Sequence, residues 1–201
     1  MTYKIEGTIQ SYRVVDQEKA NIQEEVILET AKLPEDCPAR VRIMREYGKN
    51  PKKWYLTTIY RDKGDQTQPV AIFCSTNHPE KTASTEDAVE RLFDLARAKG
   101  IPEEYVETTF AKVEKTSNNV DKLTRALSLL LRHNVLIVNI VSCLEEVDVF
   151  AGSFLFHLRK FLASYISDGS AASDECPECG GTMVFQEGCL CCSSCGYSKC
   201  G

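Results

Sequence analysis

Two five-residue pieces of the same form, Cys176-Pro177-Glu178-Cys179-Gly180 and Cys192-Ser193-Ser194-Cys195-Gly196, constrain this chain more than any other feature. Each reads C-x-x-C-G: two thiols one tight turn apart, then a glycine. Glycine takes positive φ without a Cβ penalty, so the turn can close and its backbone N–H groups can point at the sulfurs. Between the two pieces, Thr182 to Glu187 is long enough for one strand of a ribbon. Four thiolates in two such pairs predict a closed, tetrahedral, structural zinc site on Cys176, Cys179, Cys192 and Cys195. Cys189 and Cys192 also make a C-x-x-C, so a shifted register is the rival; the matching glycines after Cys179 and Cys195 favour the first set.

Three cysteines of this stretch are then left over: Cys189, Cys191 and Cys200. Cys200 stands beside Lys199, which favours the reactive thiolate. On the residues alone, idle thiols and redox thiols are equally open readings.

The same stretch resembles the extreme C-terminus of adenosylcobalamin-dependent (class II) ribonucleotide reductases. That tail reads C-P-x-C-G, a strand, then E-G-C-x-x-C-x-x-C-G-[YW]-S-x-C. The matching residues are Cys176, Pro177, Cys179, Gly180, Glu187, Gly188, Cys189, Cys192, Cys195, Gly196, Tyr197, Ser198 and Cys200. Cys191 departs from the pattern, where a non-cysteine is usual. The body is similar more loosely: Gln68-Pro69-Val70-Ala71-Ile72-Phe73 looks like the family's R-P-F-E-I-F strand, and Thr85 to Gly100 and Leu123 to His133 occupy corresponding places. The likeness spans most of residues 38–201, with the cysteine ribbon its most specific part.

The resemblance implies an accessory or C-terminal part of such a reductase. Its partners would be a catalytic reductase chain, which would carry the adenosylcobalamin and the radical cysteine, and a thioredoxin-like reductant. The implied role is re-reduction of the active-site disulfide left by each turnover, with Cys200 attacking and Cys189 resolving, or Cys191 in its place. This chain has no room for the catalytic barrel. The alternative is a zinc-ribbon module that binds protein without redox activity.

The chain has 201 residues, 43% hydrophobic and 26% charged, with a net charge of −5. That is enough apolar matter for a core. The negative charge argues against nucleic acid, and so does the ribbon itself, where Asp174, Glu175, Glu178 and Glu187 face Lys199 alone. The N-terminus lacks an apolar signal region, and the longest apolar run, Val135 to Leu144, is interrupted by Asn139 and Ser142. We therefore expect no membrane segment and a cytoplasmic protein, whose cysteines serve metal or redox chemistry rather than stapling.

The expected fold class is α+β: a small antiparallel sheet packed by several helices, followed by a C-terminal zinc ribbon. Residues 1–166 would form the body, with an N-terminal extension over 1–37. Residues 167–175, rich in Ser, Ala and Gly, would be a flexible linker, and 176–201 the ribbon with its redox cysteine tail. A strand is predicted over Tyr3 to Ser11 and a helix from Gln17 to about Lys32. Arg40 to Glu46, Trp54 to Tyr60 and Val70 to Cys74 read as strands, the last two joined across a turn at Asp62 to Asp65. Cys74 is expected in the core, on the face opposite Phe73. Helices are predicted from about Ser84 to Gly100, from Glu103 to about Lys115, from Asn118 or Asn119 to His133, within Val135 to Val147, and around Phe154 to Tyr165. The body is expected to fold without the ribbon.

Other candidates read blandly. His78, His133 and His157 lack a second ligand at helical spacing and are expected at the surface or at helix ends. Cys37 reads as an ordinary thiol. Glu24-Glu25 and Glu145-Glu146 read as solvated pairs. Lys49, Lys52, Lys53 and Trp54 form a basic-aromatic cluster at a strand entry, and no phosphate loop is present.

Overall fold

The computed structural model describes residues 36–45, 52–61, 68–76, 82–149, 151–186 and 189–199. The strand expected over 3–11, the helix over 17–32 and the turn over 62–65 lie outside these residues, as do Lys49, His78 and Cys200.

Alternating β-branched and aromatic residues build the first sheet. β1 (Ala39–Arg45), β2 (Lys53–Tyr60) and β3 (Pro69–Thr76) form an antiparallel sheet in the order β1-β2-β3. Met44 pairs with Trp54 and Leu56 with Cys74. Because side chains alternate across a strand, the register divides the sheet into two unlike faces. Trp54, Leu56, Tyr60, Ile72 and Cys74 are buried on the inner face, whereas Val41, Ile43, Tyr55 and Phe73 stand exposed on the outer one. Cys74 and Phe73 fall on opposite faces, as their spacing requires.

Among the described residues five helices follow: α1 (Ala83–Ala98), α2 (Glu103–Glu114), α3 (Asn119–Arg132), α4 (Ile137–Glu145) and α5 (Phe154–Ala163). Their starts are set by side-chain caps, since the first helical N–H groups lack backbone partners. Thr82, Asn118 and Ser153 each accept from a first-turn N–H. α3 lies along β3 and buries Leu123, Leu127, Leu130 and Leu131. It ends where Asn134 takes φ +58°, so that Val135 N–H reaches back to the Leu130 carbonyl at 3.0 Å and Asn134 N–H to Leu131 at 3.1 Å. α4 is helical despite its β-branched content, because Ile137, Ile140, Val141 and Leu144 all reach the core only at helical spacing. The Trp54 ring sits 5.8 Å from Phe154 of α5, which ties the sheet to the last helix.

The second sheet contains β4 (Ala171–Glu175), β5 (Thr182–Gln186), β6 (Cys189–Cys192) and β7 (Ser198–Lys199), antiparallel in that order. Here the structure departs from the expected layout. The stretch read as a flexible linker is instead strand β4, paired with β5 and lying against α4. Gly169 N–H donates to the Phe185 carbonyl at 2.8 Å, and Phe185 N–H donates to Ser170 at 2.9 Å. Met183, Phe185 and Leu190 of the ribbon are buried in the same core as the helices. Full burial of such side chains contributes about 1.5–3 kcal/mol each, so ribbon and body are not independent units. A Ser/Ala/Gly composition signals flexibility only where nothing pairs with the backbone, and β5 pairs with this one.

His133 is at a helix end, as expected, and is fully buried there, its ring 5.2 Å from that of Tyr105. Trp54 stands at the entry of β2, as expected, with its side chain in the core. One smaller expectation is corrected. Glu145 is largely buried beside Arg159, 3.7 Å away, while exposed Glu146 meets Arg91.

Candidate metal centre

Both C-x-x-C-G pieces close as tight turns. Gly180 N–H donates to the Cys176 carbonyl at 2.8 Å, and Gly196 N–H to the Cys192 carbonyl at 3.1 Å. The two glycines have φ +69° and +74°, the left-handed region in which a Cβ would be strained. β5 and β6 hold the turns face to face, since Met183 pairs with Cys192. The strands therefore determine which four sulfurs meet.

Those sulfurs are the Sγ atoms of Cys176, Cys179, Cys192 and Cys195, all within 4.8 Å of one another. Cys176 and Cys195 are 3.6 Å apart, and Cys179 and Cys192 are 3.5 Å apart. A tetrahedral zinc at about 2.3 Å from each sulfur needs edges of about 3.8 Å. The cluster could hold a metal ion of that size. Cys176 and Cys192 are buried and Cys179 and Cys195 exposed, so one side of the cluster faces solvent.

The backbone favours thiolate in this cluster. Cys195 N–H points at Cys192 Sγ at 3.5 Å and Ser194 N–H at 3.3 Å. These two N–H groups, Cys195 first, hold the Cys192 thiol down to about 6. Cys179 receives a similar donation from the Gly181 backbone, which lowers it, but the crowding thiols of Cys192 and Cys195 outweigh this and push it up to about 12. A cation bound among the four sulfurs would displace the remaining protons.

The leftover cysteines separate from the cluster. Cys189 opens β6 opposite Gln186 and is disulfide-bonded. Cys191 is a free, half-buried thiol with its Sγ 3.5 Å from the Ser198 hydroxyl. The shifted register, which would put Cys189 among the ligands, is not the one the four sulfurs adopt.

Sequence reasoning missed Gly181. A Cβ there would lie 2.7 Å from Ser194 Oγ and 3.2 Å from Cys179 Sγ, so this residue lets the two turns approach. The Gly180-Gly181 doublet was its only signal. Among the described residues no helix is long and apolar enough to cross a membrane. No family model, curated protein or solved structure matches the chain.

Proposed function

We propose that the C-terminal sheet is a structural zinc ribbon carrying a thiol–disulfide pair, Cys189 and Cys200, which re-reduces the active-site disulfide of a class II ribonucleotide reductase. The observation that carries this reading is the state of Cys189: it is disulfide-bonded, while none of the eight other described cysteines is in a disulfide. On this reading its partner is Cys200, the one cysteine outside the described residues. Zinc would bind Cys176, Cys179, Cys192 and Cys195 and hold them in a closed shell, which leaves the pair as the reactive sulfurs.

The exchange balances within the pair. The Cys200 thiolate attacks one sulfur of the substrate disulfide, forming a mixed disulfide and expelling one substrate thiolate. The Cys189 thiolate then attacks Cys200 Sγ, forming the Cys189–Cys200 disulfide and releasing the second substrate thiolate. Two electrons pass from the pair to the substrate, both substrate thiolates take protons from solvent, and a thioredoxin-like dithiol resets the pair. Adenosylcobalamin belongs, on this reading, to the partner catalytic chain. The setting is cytoplasmic, where such a reductant operates.

The test is thioredoxin-driven oxidation of NADPH by zinc-loaded protein. Wild type should consume one equivalent, and Cys200→Ser should consume none while retaining its zinc. With the partner reductase, Cys200→Ser should also abolish turnover. Undiminished turnover would favour the second reading, a zinc-ribbon module that binds a protein partner without redox activity. That reading draws on the anchoring of β4 against α4, which makes the ribbon a rigid platform.

A further inference from the structure

The two edges of the first sheet are treated differently. On β3 the Ser128 hydroxyl from α3 bonds both backbone groups of Ile72. On β1, no strand pairs with the outer edge among the described residues. A free edge of this kind is a template for another strand unless it is covered.

A groove of 450 Å³ runs along that edge. One wall is four consecutive residues of β1, Arg42 to Arg45; the other is His157, Lys160 and Phe161, which lie one helical turn apart on α5. Among the described residues its lining contains no carboxylate, although the chain as a whole carries a net charge of −5. Arg42 lies 5.1 Å over the Phe161 ring and Lys160 4.6 Å over Phe156, so aromatic faces rather than acids position these cations. Neither these two nor Arg45 is paired with a carboxylate among the described residues.

We infer that this groove binds an extended acidic peptide segment of a partner protein, which adds to β1 as a fourth strand. The backbone of the segment would take the open edge of β1, the mode by which strand addition gains affinity. Its alternate side chains would then fall on two different surfaces. Those on the inner face meet Arg42 and Lys160, which calls for carboxylates. Those on the outer face lie beside Val41 and Ile43, exposed at 65% and 47%, which calls for apolar residues. An alternating acidic and β-branched segment satisfies both. This inference is independent of the redox reading and stands if that reading fails.

The test uses the full chain and a short fluorescein-labelled peptide alternating Glu with Val, followed by fluorescence anisotropy. Binding should weaken with added salt, and Arg42→Glu and Lys160→Glu, both at exposed residues, should each weaken it about tenfold. Thermal melts of both variants should match wild type. The same peptide with alternate backbone amides N-methylated should not bind. Four results would overturn the inference: no binding, equal binding by the N-methylated peptide, full displacement by inorganic tripolyphosphate with no dependence on the peptide backbone, or a wild-type dimer that Arg42→Glu dissociates, which would give the edge to a second copy.

Discussion

The hydroxyl of Ser128 accepts the Ile72 backbone N–H and donates to the Ile72 carbonyl, both at 3.0 Å. In an antiparallel sheet the N–H and C=O of one residue point to the same side, so one helix residue closes the β3 edge at this position. Ser128→Ala would leave both groups buried without partners. We expect a loss of about 1–3 kcal/mol in urea unfolding with an unchanged m-value. A loss below a few tenths would mean that water replaces the hydroxyl.

Metal removal should be felt well beyond the ribbon. Wild type should carry one zinc per chain by mass spectrometry, and Cys195→Ser should retain substantially less than one. Because Met183, Phe185 and Leu190 share the core with the helices, chelation should also lower the melting temperature of the helical signal. Full zinc in Cys195→Ser would return the shifted register to consideration.

Gly181→Ala should lower zinc affinity by more than tenfold in chelator competition, since its Cβ would meet Ser194 Oγ at 2.7 Å. Adding Ser194→Gly removes that obstruction and should restore most of the affinity, leaving only the Cys179 Sγ contact at 3.2 Å. Failure of the double variant to recover would locate the cost elsewhere in the turn.

Truncation after Ser167 should give an unstable body. It removes β4 from α4 and uncovers core that the ribbon buries. Several buried apolar side chains at about 1.5–3 kcal/mol each rival the whole stability of a typical domain. A cooperative, protease-resistant fragment would refute the shared core.

Cys143 offers a pH measurement separate from the ribbon. Burial, with Glu146 adding to it, pushes its thiol up to about 11. The folded state therefore disfavours the thiolate, and alkylation of Cys143 should be slow near neutrality. Its rate should rise about tenfold per pH unit until it levels near 11. A plateau near pH 9 would mean that the thiol is solvated.

Residue patterns made much of this legible. The cysteine spacing named the four sulfurs that meet, because a C-x-x-C-G turn is local and its geometry depends on five adjacent residues. The amphipathic stripes of α1 and α3 and the alternation of β2 and β3 were readable for the same reason. What escaped were relationships that distant residues create. Ala171–Glu175 is a strand only because β5 lies beside it, and nothing in a run of small polar residues announces a partner. The burial of His133 depends on Tyr105, and that of Glu145 on Arg159, neither of them a neighbour in sequence.

The pairing of β4 and β7 into the ribbon sheet limits how far the proposed redox sulfur can travel. Residues 169 and 170 are already bonded to β5, and Ser198 and Lys199 are paired with β6. Cys200 follows Lys199 directly in the sequence. A swinging arm that carries electrons between distant sites needs many free residues on at least one side. Here the residues that precede the cysteine are held in paired strands while the sheet is intact. On the proposed redox reading, the target disulfide would have to be presented at the rim of the ribbon by a protrusion or open cleft on its owner.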